Sequence, residues 1–375
     1  MIRKHVLHTG TATATFLALI LVLALSVEAQ PVLDSGPATP RDLYVAGCAA
    51  CHGDDGTGRS QPELGFAVPM PDFTDCSFAS REPDSDWFAV AHDGGPARGF
   101  DRLMPAFGDG LTDEEIQATL DYVRTLCTDP SWPRGELNLP RAMFTEKAFP
   151  EDEAVWTTGV AVEGAGAIAN EFIYEKRFGA RNQVELVVPF AASGEGGSWN
   201  GGIGDIAVGI KRAVYHRLES GTIFSVAGEV ILPTGHYERG FGAGVTRLEP
   251  FVSLGQALPA EAFIHAQAGA EIPIDRGRAD PEAFWRGAIG RTFTEGRFGR
   301  AWSPMIEVLG ARNLVSGAST SWDIVPQFHV TLNTRQHVMA NVAVRVPLTD
   351  TAGRHTQILV FLLLDWFDGG ILEGW

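Results

Sequence analysis

The feature that most restricts this chain is a hydropathy period of two running through its second half. From Ala262 onward, Ala262, Ile264, Ala266, Ala268, Ala270 and Ile272 alternate with Phe263, His265, Gln267, Gly269 and Glu271. Trp322, Ile324, Phe328, Val330 and Leu332 alternate with Asp323, Gln327, His329 and Asn333, and Val338, Ala340, Val342, Val344 and Val346 with His337, Asn341 and Arg345. Successive side chains on a strand point to opposite faces, so each segment reads as a strand with one apolar and one polar face. About twelve such segments fit between Ala154 and Phe367, each about nine to thirteen residues long and bounded by turns rich in Gly, Asn, Asp or Pro. The 43 glycines among 375 residues, above the usual share of about 7%, suit that density of turns.

Such lengths match a tilted strand crossing a bilayer, which needs ~9–11 residues. The expected fold of residues 153–375 is therefore an antiparallel β-barrel of about twelve strands, transmembrane, with lipid outside and a polar lumen. Glu185, Asp205, Lys211, Glu229, Glu271 and Arg345 belong to the lumenal face, and Trp156, Tyr174, Tyr215, Trp302, Trp322 and Trp366 are candidates for interfacial girdles. A soluble sandwich or calyx would alternate too, but with its apolar face turned inward. About eight strands leave a filled interior and 16–18 an aqueous channel, so about twelve should leave at most a narrow pore.

The first half is built differently. Arg3, Lys4 and His5 precede an apolar run from Phe16 to Val27, and Val27-Glu28-Ala29 offers small residues for cleavage before Gln30. Residues 1–29 are expected to be a signal peptide; the run is short of the ~20 residues of a spanning helix. The chain is expected to work outside the cytoplasm.

Cys48-Ala49-Ala50-Cys51-His52 carries the chemistry. Two cysteines three apart can each form a thioether to a haem vinyl group, and the adjacent histidine is then held beneath the iron. A redox-active pair would want a thioredoxin-like strand before it, and a zinc site a second ligand pair; neither accompanies the motif. Asp42 to Ala50 reads as a short amphipathic helix with Tyr44 one turn before Cys48, followed by the small-residue loop Gly53-Asp54-Asp55-Gly56-Thr57-Gly58. Further on, Thr112 and Glu115 form a capping box ahead of Ile116, Leu120, Val123 and Leu126, which recur at helical spacing.

With these features, the stretch from Arg41 to Cys127 resembles class I cytochromes c. Leu103-Met104-Pro105-Ala106-Phe107-Gly108 looks like that family's distal methionine loop. The resemblance implies haem c as cofactor, bound by Cys48 and Cys51, with His52 and Met104 as axial ligands of the iron. Met70 lies 18 residues past His52 and reads as loop packing, while His92 is an alternative ligand or a helix-end histidine. In the family the last helix crosses the first, which places Tyr122 against the Gly47 region. Cys76 and Cys127 remain, and in an oxidising compartment they read as a disulfide or as two buried thiols.

The expected organisation is thus a signal peptide (1–29), a small all-α cytochrome c domain (30–128), a Pro-rich linker (129–152) lying on one of its neighbours, and the barrel (153–375). Gly201-Gly202-Ile203-Gly204-Asp205 through Lys211, with Leu232-Pro233-Thr234-Gly235, is similar to outer-membrane channel proteins of the family linked to phenol meta-pathway degradation. The whole resembles fused cytochrome-porins that take electrons from extracellular ferrous iron. That plan implies electron transfer through a single covalent haem in the periplasm, tethered to the outer membrane. Partners would be periplasmic or extracellular redox proteins or small-molecule electron donors and acceptors. One haem cannot by itself carry electrons across a hydrocarbon core of ~25–30 Å. Two other readings stay open: a transport barrel whose haem serves a neighbouring enzyme, and a soluble periplasmic redox subunit with a β docking domain. A formal net charge of -17, from 46 acidic against 29 basic residues, argues against nucleic acid. The sequence shows no nucleophile elbow, phosphate loop or second haem motif, so an electron carrier is expected rather than a catalytic enzyme.

Overall fold

The computed structural model describes residues 38–65, 69–164, 166–195 and 198–366. The signal-peptide segment and the chain end beyond Trp366 lie outside the described residues.

Among the described residues six short helices come first: α1 (Pro40–Gly47), α2 (Ala49–His52), α3 (Gln61–Leu64), α4 (Cys76–Ala79), α5 (Asp84–Asp93) and α6 (Asp113–Arg124). Thr39 caps α1 reciprocally with Asp42, and Thr112 caps α6 reciprocally with Glu115, satisfying amides that the first helical turn leaves unpaired. Ile116, Leu120 and Val123 form the buried stripe of α6. It crosses α1, with the rings of Tyr44 and Tyr122 5.3 Å apart. The space beside Gly47 is taken instead by Phe107, 3.2 Å from where a Cβ would stand. Cys76 and Cys127 form a disulfide with Cα atoms 5.1 Å apart, tying the start of α4 to the chain just after α6.

Twelve strands then close into an antiparallel barrel: β1 (Glu153–Ala161), β2 (Ala167–Phe178), β3 (Asn182–Glu195), β4 (Ile206–Arg217), β5 (Thr222–Leu232), β6 (Arg247–Leu258), β7 (Ala262–Pro273), β8 (Glu282–Arg291), β9 (Ala301–Asn313), β10 (Ser321–Thr331), β11 (Val338–Pro347) and β12 (Gln357–Asp365). Each pairs with its chain neighbours, and β1 meets β12 with Glu153 opposite Asp365 and Ala161 opposite Gln357. Two short strands, Ser198–Ile203 and Phe293–Thr294, extend hairpins at the rim. Closure leaves no barrel strand with an unpaired edge.

The alternation has the expected sense. Ile289, Ile306, Phe328, Val342, Ile358 and Leu362 are exposed on the outside, while His265, Gln267, Glu307, Asp323, His329 and Asn341 are buried within. No helix among the described residues is long and apolar enough to cross a membrane. Trp366 departs from the girdle expectation: it is buried and stacked on Tyr174, ring centroids 5.8 Å apart.

The linker lies on the barrel, from the inside: residues 135–152 run into the barrel and return to begin β1. Leu137 and Phe149 pack with Ala213 and Ile223, Leu139 and Ala142 with Phe263, Ala288 and Met305, and Met143 with Val155, Val325 and Phe361. Backbone groups of the loop find partners on the wall. Glu307 accepts from the amides of Phe144 and Thr145, Gln267 from that of Glu146 and Gln183 from that of Glu151. Arg286 donates to the Phe144 carbonyl at 3.0 Å. Prolines 140 and 150 carry no amide that would need such a partner.

Candidate functional site

The helical region positions the motif by a chain of local constraints. α1 ends at Cys48, whose amide donates to the Tyr44 carbonyl at 2.8 Å, and α2 carries Cys51 and His52 one turn further. Tyr44 is fully buried, and its hydroxyl donates to the Gly53 carbonyl at 2.7 Å, fastening α1 to the turn after His52. The loop folds back so that the Gly58 amide reaches the His52 carbonyl at 2.9 Å. Gly58 has φ +79°, and a Cβ there would stand 2.9 Å from that of Met70, so a residue without a side chain is needed. Met70 is thereby placed as loop packing. Phe73 stacks on the His52 ring with centroids 4.8 Å apart, and Trp87 backs Phe73 at 5.3 Å.

Cys48 and Cys51 are free and half-buried. Burial, with the Cys51 thiol beside it, pushes Cys48 up to about 11, so it is no thiolate nucleophile of the redox-active kind. Burial lowers His52 to about 4, leaving a neutral imidazole, the form that binds iron. Its buried Nδ1 has no hydrogen-bond partner.

The Met104 loop is held to the end of α5. Gly95 donates to the Met104 carbonyl at 3.0 Å, Phe107 to Ala91 at 3.0 Å and Gly108 to His92 at 2.9 Å. Three residues past Met104, Phe107 reaches Gly47, the neighbour of Cys48, so this loop closes over the same corner of the domain. The unpartnered imidazole nitrogen, the two free thiols and the methionine loop fit a haem.

His92, the alternative ligand, is engaged elsewhere. Its Nδ1 lies 2.5 Å from Asp93 and its Nε2 3.2 Å from Arg297, while its ring packs on Phe88 and Phe298. These contacts belong to a junction between the helices and two barrel turns that sequence reasoning missed. Arg98 donates to the Phe298 carbonyl at 2.6 Å, Arg335 lies 4.4 Å over the Phe100 ring, and Arg81 pairs with Asp152. His337 bridges Glu82 at 3.2 Å and Asp365 at 2.8 Å. Burial alone would lower His337, but the Asp365 and Glu82 carboxylates outweigh it and push the imidazole up to about 12. Nothing in the periodicity marks turns 292–300 and 332–337 as docking surfaces; their basic residues Arg297, Arg300 and Arg335, facing an acidic helical region, were the available sign.

Residues 36–123 match the family model described as cytochrome C oxidase, cbb3-type, subunit III. No curated protein matches the sequence. Among solved structures the chain is similar to an outer membrane channel from Pseudomonas putida F1, with 10% identity over 60% of this chain and 99% of that one, at a TM-score of 0.43. The KdgM porin follows with 11% identity over 57% and 99%, at 0.38, and the NanC porin with 9% over 56% and 98%, at 0.40. The helical region of this chain is a cytochrome c domain, joined through a loop inside the lumen to a closed twelve-stranded β-barrel.

Proposed function

We propose that this protein transfers electrons through one covalently attached c-type haem held against the periplasmic end of an outer-membrane barrel. The observation that carries this reading is the site itself: Cys48, Cys51 and His52 on two successive turns, with both thiols free while Cys76 and Cys127 are bonded. Cys48 and Cys51 would hold the haem by thioethers, and His52 and Met104 would ligate its iron. The haem supplies a one-electron couple, and a thioether ligand favours the ferrous form. Tyr44 and Phe73 orient His52, and the hydrogen bonds from Gly95, Phe107 and Gly108 hold the Met104 loop.

The orientation rests on the barrel ends. The helical domain sits at the end where β1 starts and β12 finishes, and three of that end's turns, 179–181, 218–221 and 259–261, are short. The opposite end carries longer connections such as 233–246. Outer-membrane barrels have short periplasmic turns and longer extracellular loops. The electron partner is accordingly a redox protein or small molecule that meets the exposed side of the helical domain.

Haem staining of outer-membrane fractions tests the whole reading; the stained band should sediment with the outer membrane at the size of the full chain. Replacing Cys48 and Cys51 together by Ala should abolish staining on a denaturing gel, and a band that persists would overturn the attachment. Met104→Ala should keep the stain and lower the reduction potential; an unchanged potential and spectrum would remove Met104 from the iron.

A further inference from the structure

The lumen is where the strand and loop sequences complement each other most closely. Five glutamates stand in one cross-strand row: Glu153 on β1 lies opposite Glu175 on β2, then Glu185 on β3, Gly209 on β4, Glu229 on β5 and Glu249 on β6. Gly209 interrupts the row where Glu229 needs the space, since a Cβ there would lie 2.7 Å from the Glu229 side chain. Lined up without cations, such a row would be strongly self-repelling in a confined space.

The loop supplies much of the missing charge. Arg141 pairs with Glu175 at 3.0 Å and also with Glu153 and Glu146. Lys147 pairs with Glu153 at 3.1 Å and with Glu151. From the wall, Lys211 reaches back to Glu146 at 2.8 Å and to the Lys147 carbonyl at 2.9 Å. The carboxylates of Glu146, Glu175 and Glu185 lie within 4.8 Å of one another, but Arg141 and Lys211 already meet two of the three. This cluster therefore acts as a fastening between loop and wall. Apolar contacts on three sides of the lumen complete the seal: Leu137 and Phe149 against β4 and β5, Leu139 and Ala142 against β7 to β9, and Met143 against β9 to β12 and β1.

We propose that residues 135–152 are a resident plug that shuts the barrel to solutes, so that the barrel serves as an anchor for the cytochrome domain and not as a channel. The inference rests on the reading of the barrel as membrane-spanning and goes beyond it. It also denies a soluble reductant on the far side a path through the lumen to the haem domain.

The experiment is ion conductance of the full-length haem protein in planar bilayers, compared with a variant from which residues 139–148 are excised. Leu137 and Phe149 already pack in the same cluster, so the cut ends can be joined by a short Gly-Ser link. The native protein should show no channel steps above the bare bilayer, and the excised variant should show discrete openings. Native protein that conducts like the variant would overturn the plug, as would a variant with folded, heat-modifiable mobility that stays shut. If the excised chain does not fold, Arg141→Gln with Glu307→Gln replaces it: brief openings support the plug, and a folded variant without them overturns it. Flotation of the same proteoliposomes reports insertion separately. A chain that fails to float counts against the membrane reading, whereas one that floats and conducts counts against the plug.

Discussion

The helical domain and the barrel bury opposite chemistries. In the helical domain Tyr44, Ile116, Leu120 and Val123 are inside, and the charges of Asp54, Glu114 and Asp121 face water. In the barrel Ile289, Val342, Ile358 and Leu362 face outward, and Arg141, Lys147, Glu153, Glu175, Lys211 and Glu307 are buried. Both regions follow the same rule, that apolar surface leaves water; what differs is the medium on the outside. A β-sheet domain stable in water would not present so many Val, Leu and Ile side chains as a continuous outer surface. Inside, each buried charge depends on a partner, because a lone ion in a low-dielectric space is costly.

Three substitutions test this inversion. The largest effect is expected from Arg141→Ala, which leaves Glu153 and Glu175 without their shared guanidinium; breaking such a buried pair costs about 3–5 kcal/mol. Unfolding of the barrel in lipid should register that loss while the haem spectrum is retained. A cost within the noise would mean that the lumen is wet enough to screen the row.

Val342→Arg attacks the other face. Val342 is 51% exposed on the outside of β11, and an arginine at the bilayer midplane should cost about 2–4 kcal/mol. The loss should appear in lipid, as reduced assembly on a urea titration. A neutral result would place that surface in water and break the contrast between the regions.

The smallest effect concerns the seam between them. His337 is raised from its ordinary 6.5 to about 12, so its charged form is favoured in the folded protein. Its stabilising contribution is complete below about pH 6.5 and fades as pH rises toward about 12. The intact protein should therefore melt at progressively lower temperature between pH 7 and 10, and His337→Gln should flatten that slope. A variant with the native slope would relieve His337 of any part in docking.

Local patterns carried most of the fold. The period of two foretold twelve strands and the direction of each face, and the capping box at Thr112 with the stripe from Ile116 to Val123 foretold α6. The motif residues Cys48, Cys51 and His52 stood out because thioether attachment would fix their spacing, and the fold places them on two successive helical turns. What could not be read was pairing at long range. Nothing near Arg141 indicates Glu175, 34 residues on, and the linker's prolines suggested an extended segment lying on a neighbour without showing that it enters the lumen. Trp366 was misplaced for a similar reason: an aromatic near a strand end suits an exposed girdle, and only the position of Tyr174 shows that its ring is covered. A clue was present in charge balance, since the strands place Glu175, Glu185, Glu229 and Glu249 on one inner row, with Arg177, Lys211 and Arg247 each two positions away from it along their strands.

The loop in the lumen runs without interruption into the strand that closes the barrel. Glu153 opens β1 opposite Asp365, and Trp366 donates from its amide to the carbonyl of Asp152, the last residue of the loop. The final seam and the seated loop therefore share the residues at their junction, and closing one would bring the other into place. An insertion machinery that holds the first and last strands apart also keeps the charged loop residues hydrated until their partners arrive. Arg141 and Lys147 need never cross lipid alone, and the desolvation of some of the chain's most buried charges is deferred to the moment at which they are neutralised.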